Sequence, residues 1–159
     1  TGWKIGWTIA PPNLTAGIRA AHQFLTFCSA TPLQRAATDA LAAPRAYYEE
    51  LRRDYRMRRD LLLGELRASG FEPFVPEGSY FILAPHAAFG HADDVSFARR
   101  LVEREGVACI PCSAFFMPGP EGGKDAEASS LVRFAFCKTP ETLRAAGERM
   151  RALAKAGAR

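Results

Sequence analysis

From Leu14 to residue 69 the apolar positions recur at a helical period, and beyond residue 70 alternating segments appear among the helical ones. Ahead of the first helix, Ile5 to Ala10 is short, apolar and β-branched, and Pro11-Pro12 stops it, which predicts a buried strand leaving a sheet. Leu14, Ile18, Ala21, His22 and Leu25 then mark one helix face, with Asn13 or Thr15 as its cap. Thr31-Pro32 opens the next helix, since proline is tolerated at the first helical position and threonine can cap it. Its apolar stripe is Leu33, Ala36, Ala37, Ala40 and Leu41.

The longest periodic stretch runs from about Pro44 to Ser69, with Tyr47, Leu51, Tyr55, Leu62 and Leu66 near one face and Gly70 as the stop. Downstream, Phe71 to Val75 and Tyr80 to Ala84 read as strands around the turn Pro76-Glu77-Gly78-Ser79. A helix over Phe97–Glu105, capped near Asp94 and closed by Gly106, leads to a strand over Val107–Ile110. The Gly- and Pro-rich loop from Met117 to Gly123 precedes a strand over Leu131–Phe136, and Pro140 opens a last helix with Glu141 in its first turn. From residue 45 onward these elements predict an α+β layer, with residues 1–44 belonging to a different one.

Composition narrows the class. The chain has 159 residues, 48% hydrophobic and 24% charged, long enough for a packed core and ordinary for a globular protein. Charged residues interrupt every apolar segment before the roughly 18 to 20 residues that a membrane span needs, so no membrane partner is expected and the cytoplasm is the default compartment. The net charge of +4 is carried mainly by arginine. Its densest run, Arg52 to Arg59, lies on an amphipathic helix with Asp54 and Asp60 inside or beside it, which reads as a solvated face and not a nucleic-acid surface. Cys109-Ile-Pro-Cys112 has redox or zinc spacing, but no second ligand pair exists and the segment reads as a strand entering a turn, so ordinary reduced thiols are expected.

Four positions carry candidate chemistry. Arg133 sits mid-strand, sharing a face with Leu131 and Ala135 while Phe134 and Phe136 point the other way. A guanidinium there needs an anion, either an internal carboxylate or the carboxylate of a ligand, which its planar fork suits. Lys4, between Gly2 and Gly6 in Thr1-Gly-Trp-Lys-Ile-Gly-Trp7, can meet a phosphate or simply reach solvent. Tyr80 follows a tight turn that aims its hydroxyl, and His22 reads as an ordinary helix residue.

Six blocks occur in an order that resembles the class I/II pyridoxal-phosphate aminotransferases. They are Thr1 to Trp7, His22-Gln-Phe-Leu-Thr-Phe27, Thr31-Pro-Leu-Gln34, Pro76 to Phe81, Ala108 to Phe116 and Val132 to Phe136. The resemblance is to the branch of kynurenine aminotransferase, glutamine transaminase K and the bacterial methionine aminotransferases. It implies an α/β protein of fold type I, represented here mainly by the α+β C-terminal small domain and the end of the large domain. Residues 1–44 would be the tail of the cofactor-binding large domain, and residues 45–159 the connecting helix and small domain.

The same resemblance implies a role for each candidate. Lys4 would hold the phosphate of pyridoxal 5'-phosphate, Arg133 the α-carboxylate of an amino acid or 2-oxo acid, and Phe27 and Tyr80 the side-chain pocket. Some relatives have histidine just after the Phe27 position; Cys28 here leans away from kynurenine and toward methionine or another bulky apolar amino acid. The Schiff-base lysine of the family precedes the Lys4 block and so is expected before Thr1, leaving this chain, a C-terminal part of a longer protein, without a catalytic residue and inactive alone. The parent would be a homodimer. Two other readings stay open: a lyase of the cysteine-conjugate β-lyase or aminocyclopropane-carboxylate synthase type, and a non-catalytic effector domain of a transcription regulator.

Overall fold

The structure, a computed structural model, describes residues 3–117 and 125–156, the side chains of 154–156 excepted. The expected loop from Met117 to Gly123 therefore lies almost entirely outside the described residues. The chain forms two units, Thr1–Glu49 and Glu50–Arg159.

In the first unit the strand expected over Ile5–Ala10 does not form. A strand needs a neighbour to take its N–H groups, and none of Lys4 to Ala10 donates a backbone hydrogen bond among the described residues. Lys4 itself turns into the left-handed region at φ 51°. Helix α1, Pro12–Leu25, starts on proline, whose missing N–H costs nothing in the first turn. Pro11 takes the cap position with no side-chain cap. The Thr15 hydroxyl instead donates to the carbonyls of Ala10 and Pro11, both at 3.0 Å. In α2, Thr31–Leu41, Thr31 is already helical, and Ala30 precedes it without a side-chain cap. The Tyr48 hydroxyl donates to the Ala40 carbonyl at 2.6 Å.

Helix α3, Arg45–Ala68, ends as the sequence predicts. Gly70 adopts φ 89°, which lets the Phe71 N–H reach the Leu66 carbonyl and the Gly70 N–H reach Arg67, both at 3.0 Å. That reversal drops Phe71 into the core beside Leu66. Along the arginine run, Arg58 pairs with Asp54 at 3.8 Å and Arg59 with Asp60 at 2.8 Å, while Glu49 turns back to Arg45 at 2.9 Å. Phe71 to Val75 is not a strand: Pro73 has no N–H to give, and the segment donates one bond to the sheet, from Phe74 to Leu83.

The sheet has three antiparallel strands in the order β1-β3-β2, with β1 at Phe81–Pro85, β2 at Ile110–Pro111 and β3 at Leu131–Ala135. β2 is shorter than its apolar pattern, pairing only Ile110 and Pro111 with β3. Alternation then decides the two faces. Ile82, Ala84, Val132 and Phe134 are buried against Leu62, Leu63 and Leu66 of α3 and the other core residues, whereas Phe81, Leu83, Leu131 and Arg133 are half-buried on the opposite face. Helix α4, Asp94–Arg100, continues as a π turn through Glu105 before Gly106 closes it in the left-handed region. It begins at Asp94, three residues before the expected Phe97, with Asp93 as the cap, exchanging bonds with Ser96. A 3-10 turn, Cys112–Phe115, follows β2, and α5, Ala126–Ser129, precedes β3. Helix α6, Pro140–Ala156, returns Leu143, Met150 and Leu153 to the core.

Candidate active site

Arg133 occupies the middle of the central strand, with Leu83 opposite it on β1 and Ile110 opposite it on β2. The register puts Phe81 on the same face, one step along the diagonal. The 3-10 turn after β2 brings Phe115 to the same guanidinium. The Arg133 Cζ lies 4.6 Å from the Phe81 ring centre and 4.5 Å from that of Phe115, inside the range where an aromatic face attracts a cation. The internal salt bridge that Arg133 might have needed is not formed: among the described residues its guanidinium has no carboxylate partner. It opens on a recess of about 500 Å³ whose apolar wall includes Phe81, Leu83, Phe115 and Leu131, and which Asp125 and Glu127 also line.

The thiols near it are suppressed as nucleophiles. Burial pushes Cys109 up to about 12, with Cys112 and Asp94 adding to the effect. Cys112 is raised by burial and by Asp94, and the positive charge of Arg133 pulls partly against them. All four cysteines are free; Cys112 is buried, Cys109 and Cys137 are half-buried and Cys28 is exposed.

Of the other sequence-derived candidates, Tyr80 stands edge-on to its chain neighbour Phe81 at 5.7 Å and 89° and does not line the Arg133 recess. Ser79, not Gly78, takes the left-handed conformation of the preceding turn, at φ 67°. Phe27 also has a positive φ, 66°, and lines a recess of about 560 Å³ with Trp7, Thr15, Arg19 and His22 in the first unit. Lys4 is exposed and does not line that recess. Reading the sequence missed Phe81 and Phe115 as companions of Arg133. Both stand in the quoted blocks, yet only strand register and the 3-10 turn put them on either side of one side chain.

Among the described residues the site is thus a ring-flanked arginine without an ion-pair partner on the central strand of a helix-backed sheet. The comparisons give the chain its family. The family model "Aminotransferase class I and II" matches residues 1–150, and the chain belongs to that family. It is 42% identical over 154 residues to the methionine aminotransferase of Escherichia coli, covering 96% of this chain and 38% of the relative. Kynurenine–oxoglutarate transaminase of Dictyostelium discoideum is 35% identical, with 98% and 39% covered. Among solved structures, N-succinyldiaminopimelate aminotransferase from Mycobacterium tuberculosis superposes with a TM-score of 0.81 at 40% identity, over 96% of this chain and 38% of that one. The chain thus spans about two fifths of the length of these relatives, and its fold is that part of a fold-type I aminotransferase.

Aminotransferases of this family depend on pyridoxal phosphate. The donor chemistry of the first unit would suit the phosphate end of that group: Lys4 stands beside backbone N–H groups that have no carbonyl acceptors among the described residues. It is an open segment, since a Cβ added at Gly6 would meet nothing within 4 Å. No helix among the described residues is long and apolar enough to cross a membrane.

Proposed function

We propose that the full-length protein of which this chain forms a part is a pyridoxal-phosphate-dependent aminotransferase that exchanges an amino group between an L-amino acid of the methionine, glutamine or aromatic type and a 2-oxo acid, and that the chain alone is inactive. The observation that carries this reading is Arg133: a half-buried guanidinium that forms no ion pair among the described residues and opens on a recess whose wall is mostly apolar, with Asp125 and Glu127 also lining it. Such a group is complete only with a ligand carboxylate. The family match and the similarity to a methionine aminotransferase support the substrate class, as does Cys28 in place of histidine.

Within this reading residues 1–44 are the tail of the cofactor-binding domain and residues 45–159 the connecting helix and small domain. Lys4 holds the cofactor phosphate. Arg133 binds the α-carboxylate through two parallel N–H donors, which fixes the orientation of Cα. Phe27 and Tyr80 contact the substrate side chain, and Phe81, Phe115 and Phe116 keep water from the Arg133 recess. When bound, the cofactor supplies the carbonyl that accepts the amino group and the electron sink for the reacting carbon. No residue of this chain is assigned the proton transfer at that carbon. The protein is further read as a cytoplasmic homodimer.

Transfer from methionine, glutamine, phenylalanine and kynurenine to 2-oxo acids tests the assignment, with Arg133→Lys as the diagnostic variant. Loss of the bidentate fork should raise KM for donor and acceptor alike by about tenfold or more, roughly 1.4 kcal/mol of binding. Unchanged KM values for both substrates would remove Arg133 from the carboxylate site.

A further inference from the structure

We propose that Phe81 and Phe115 form a two-ring clamp that fixes the plane of the Arg133 guanidinium, making the recess selective for planar carboxylates over tetrahedral oxyanions. The inference rests on the carboxylate reading of Arg133 and adds how that arginine discriminates. The two ring centres lie 4.6 and 4.5 Å from Cζ, so both rings occupy positions that would otherwise be open to an approaching anion or to water. Aromatic faces attract the cation but accept none of its in-plane N–H bonds. With no protein carboxylate on those donors among the described residues, they remain available along the guanidinium edge.

A carboxylate shares that plane and takes two parallel bonds. A phosphonate or sulfonate can place two oxygens there as well, but its third oxygen projects toward a ring, where it loses water and gains no donor. The clamp also limits how far the guanidinium can turn, so less freedom is lost when a ligand binds. The two rings come from different elements. Phe81 is set by strand register and is half-buried, whereas Phe115 stands on the 3-10 turn and is 58% exposed. Phe115 can therefore be trimmed without opening the core.

The test compares hydrocinnamate with phenethylphosphonate, titrated into the purified protein and followed by NMR, together with the rate of Arg133 rotation about Nε–Cζ read from its Nε–Hε resonance. The native protein should favour the carboxylate by about fivefold or more, reflecting bidentate planar recognition. Phe115→Leu should weaken carboxylate binding about fivefold, erase most of the preference and speed the rotation, while Phe115→Tyr, which keeps the ring face, stays within about twofold. Affinity, preference and rotation unchanged in Phe115→Leu would overturn the clamp. If Arg133→Lys abolishes carboxylate binding in that case, the carboxylate reading survives alone. If Arg133→Lys binds as the native protein does, the reading and the clamp fall together.

Discussion

The four cysteines show how far one residue type can be separated by its surroundings. A thiol reacts as its anion, and burial of Cys109, aided by Cys112 and Asp94, delays that anion until about pH 12. Cys28 stands exposed on the other unit. Alkylation near pH 8, followed by peptide mass spectrometry, should label Cys28 first and leave Cys109 and Cys112 unmodified while the protein is folded. Labelling of Cys109 at the rate of Cys28 would contradict the structure. Arg133 was legible in the sequence because alternation alone places it among apolar neighbours, and the cost of a lone guanidinium marks it for a partner. Its actual neighbours were not legible. Phe81 depends on a register between strands about fifty residues apart, and Phe115 on a 3-10 turn with no distinctive spacing. The left-handed conformations of Lys4, Phe27 and Ser79 were equally invisible, since each falls on a residue type that seldom adopts them.

Helix ends divide in the same way among the elements. The end of α3 was readable from Gly70, because the reversal there needs a positive φ that glycine adopts freely. The start of α4 was placed three residues late, at Phe97, and the difference hides a structural role. Asp93 supplies the cap, freeing Asp94 to turn inward, where it is fully buried and accepts from the Ser113 N–H at 2.7 Å and the Ser113 hydroxyl at 3.0 Å. This carboxylate therefore ties α4 to the turn that carries Phe115. Asp94→Ala leaves both donors unsatisfied and should cost about 1–3 kcal/mol, read as a lower urea midpoint at unchanged slope. Asp94→Asn, which keeps one acceptor, should lose less. A midpoint unchanged in Asp94→Ala would show that Ser113 finds another acceptor. Strands were the least legible elements because pairing is a property of two segments. Ile5–Ala10 and Phe71–Val75 have suitable composition but no continuous ladder, and β2 keeps only the two residues that β3 can pair.

Across the whole molecule, burial is unevenly distributed. The second unit has a continuous core from Leu62 to Leu153, including Ile82, Phe97, Val132 and Met150, whereas no described residue of Thr1–Glu49 is buried. Apolar burial is what opposes local opening, so backbone amides of α1 and α2 should exchange with deuterium about a hundredfold faster than those of β3 and the second half of α3 in this 159-residue chain. Equal protection would mean that the first unit is held by contacts that its own side chains do not supply. Within the second unit, the presence of α3, α4 and α6 and the reversal at Gly70 were legible from periodicity and turn chemistry; α5, the 3-10 turns and the sheet order were not, since nothing local says that β3 lies between β1 and β2. That order has a kinetic consequence. A central strand frays least, being hydrogen-bonded along both edges, so the backbone under Arg133 is among the last parts of the sheet to open. Phe115 rests on a short turn with fewer such bonds. Under the proposed carboxylate role of Arg133, excursions of the turn would pace the admission and release of a ligand at this face, and the arginine would be the fixed point against which each arriving carboxylate is aligned.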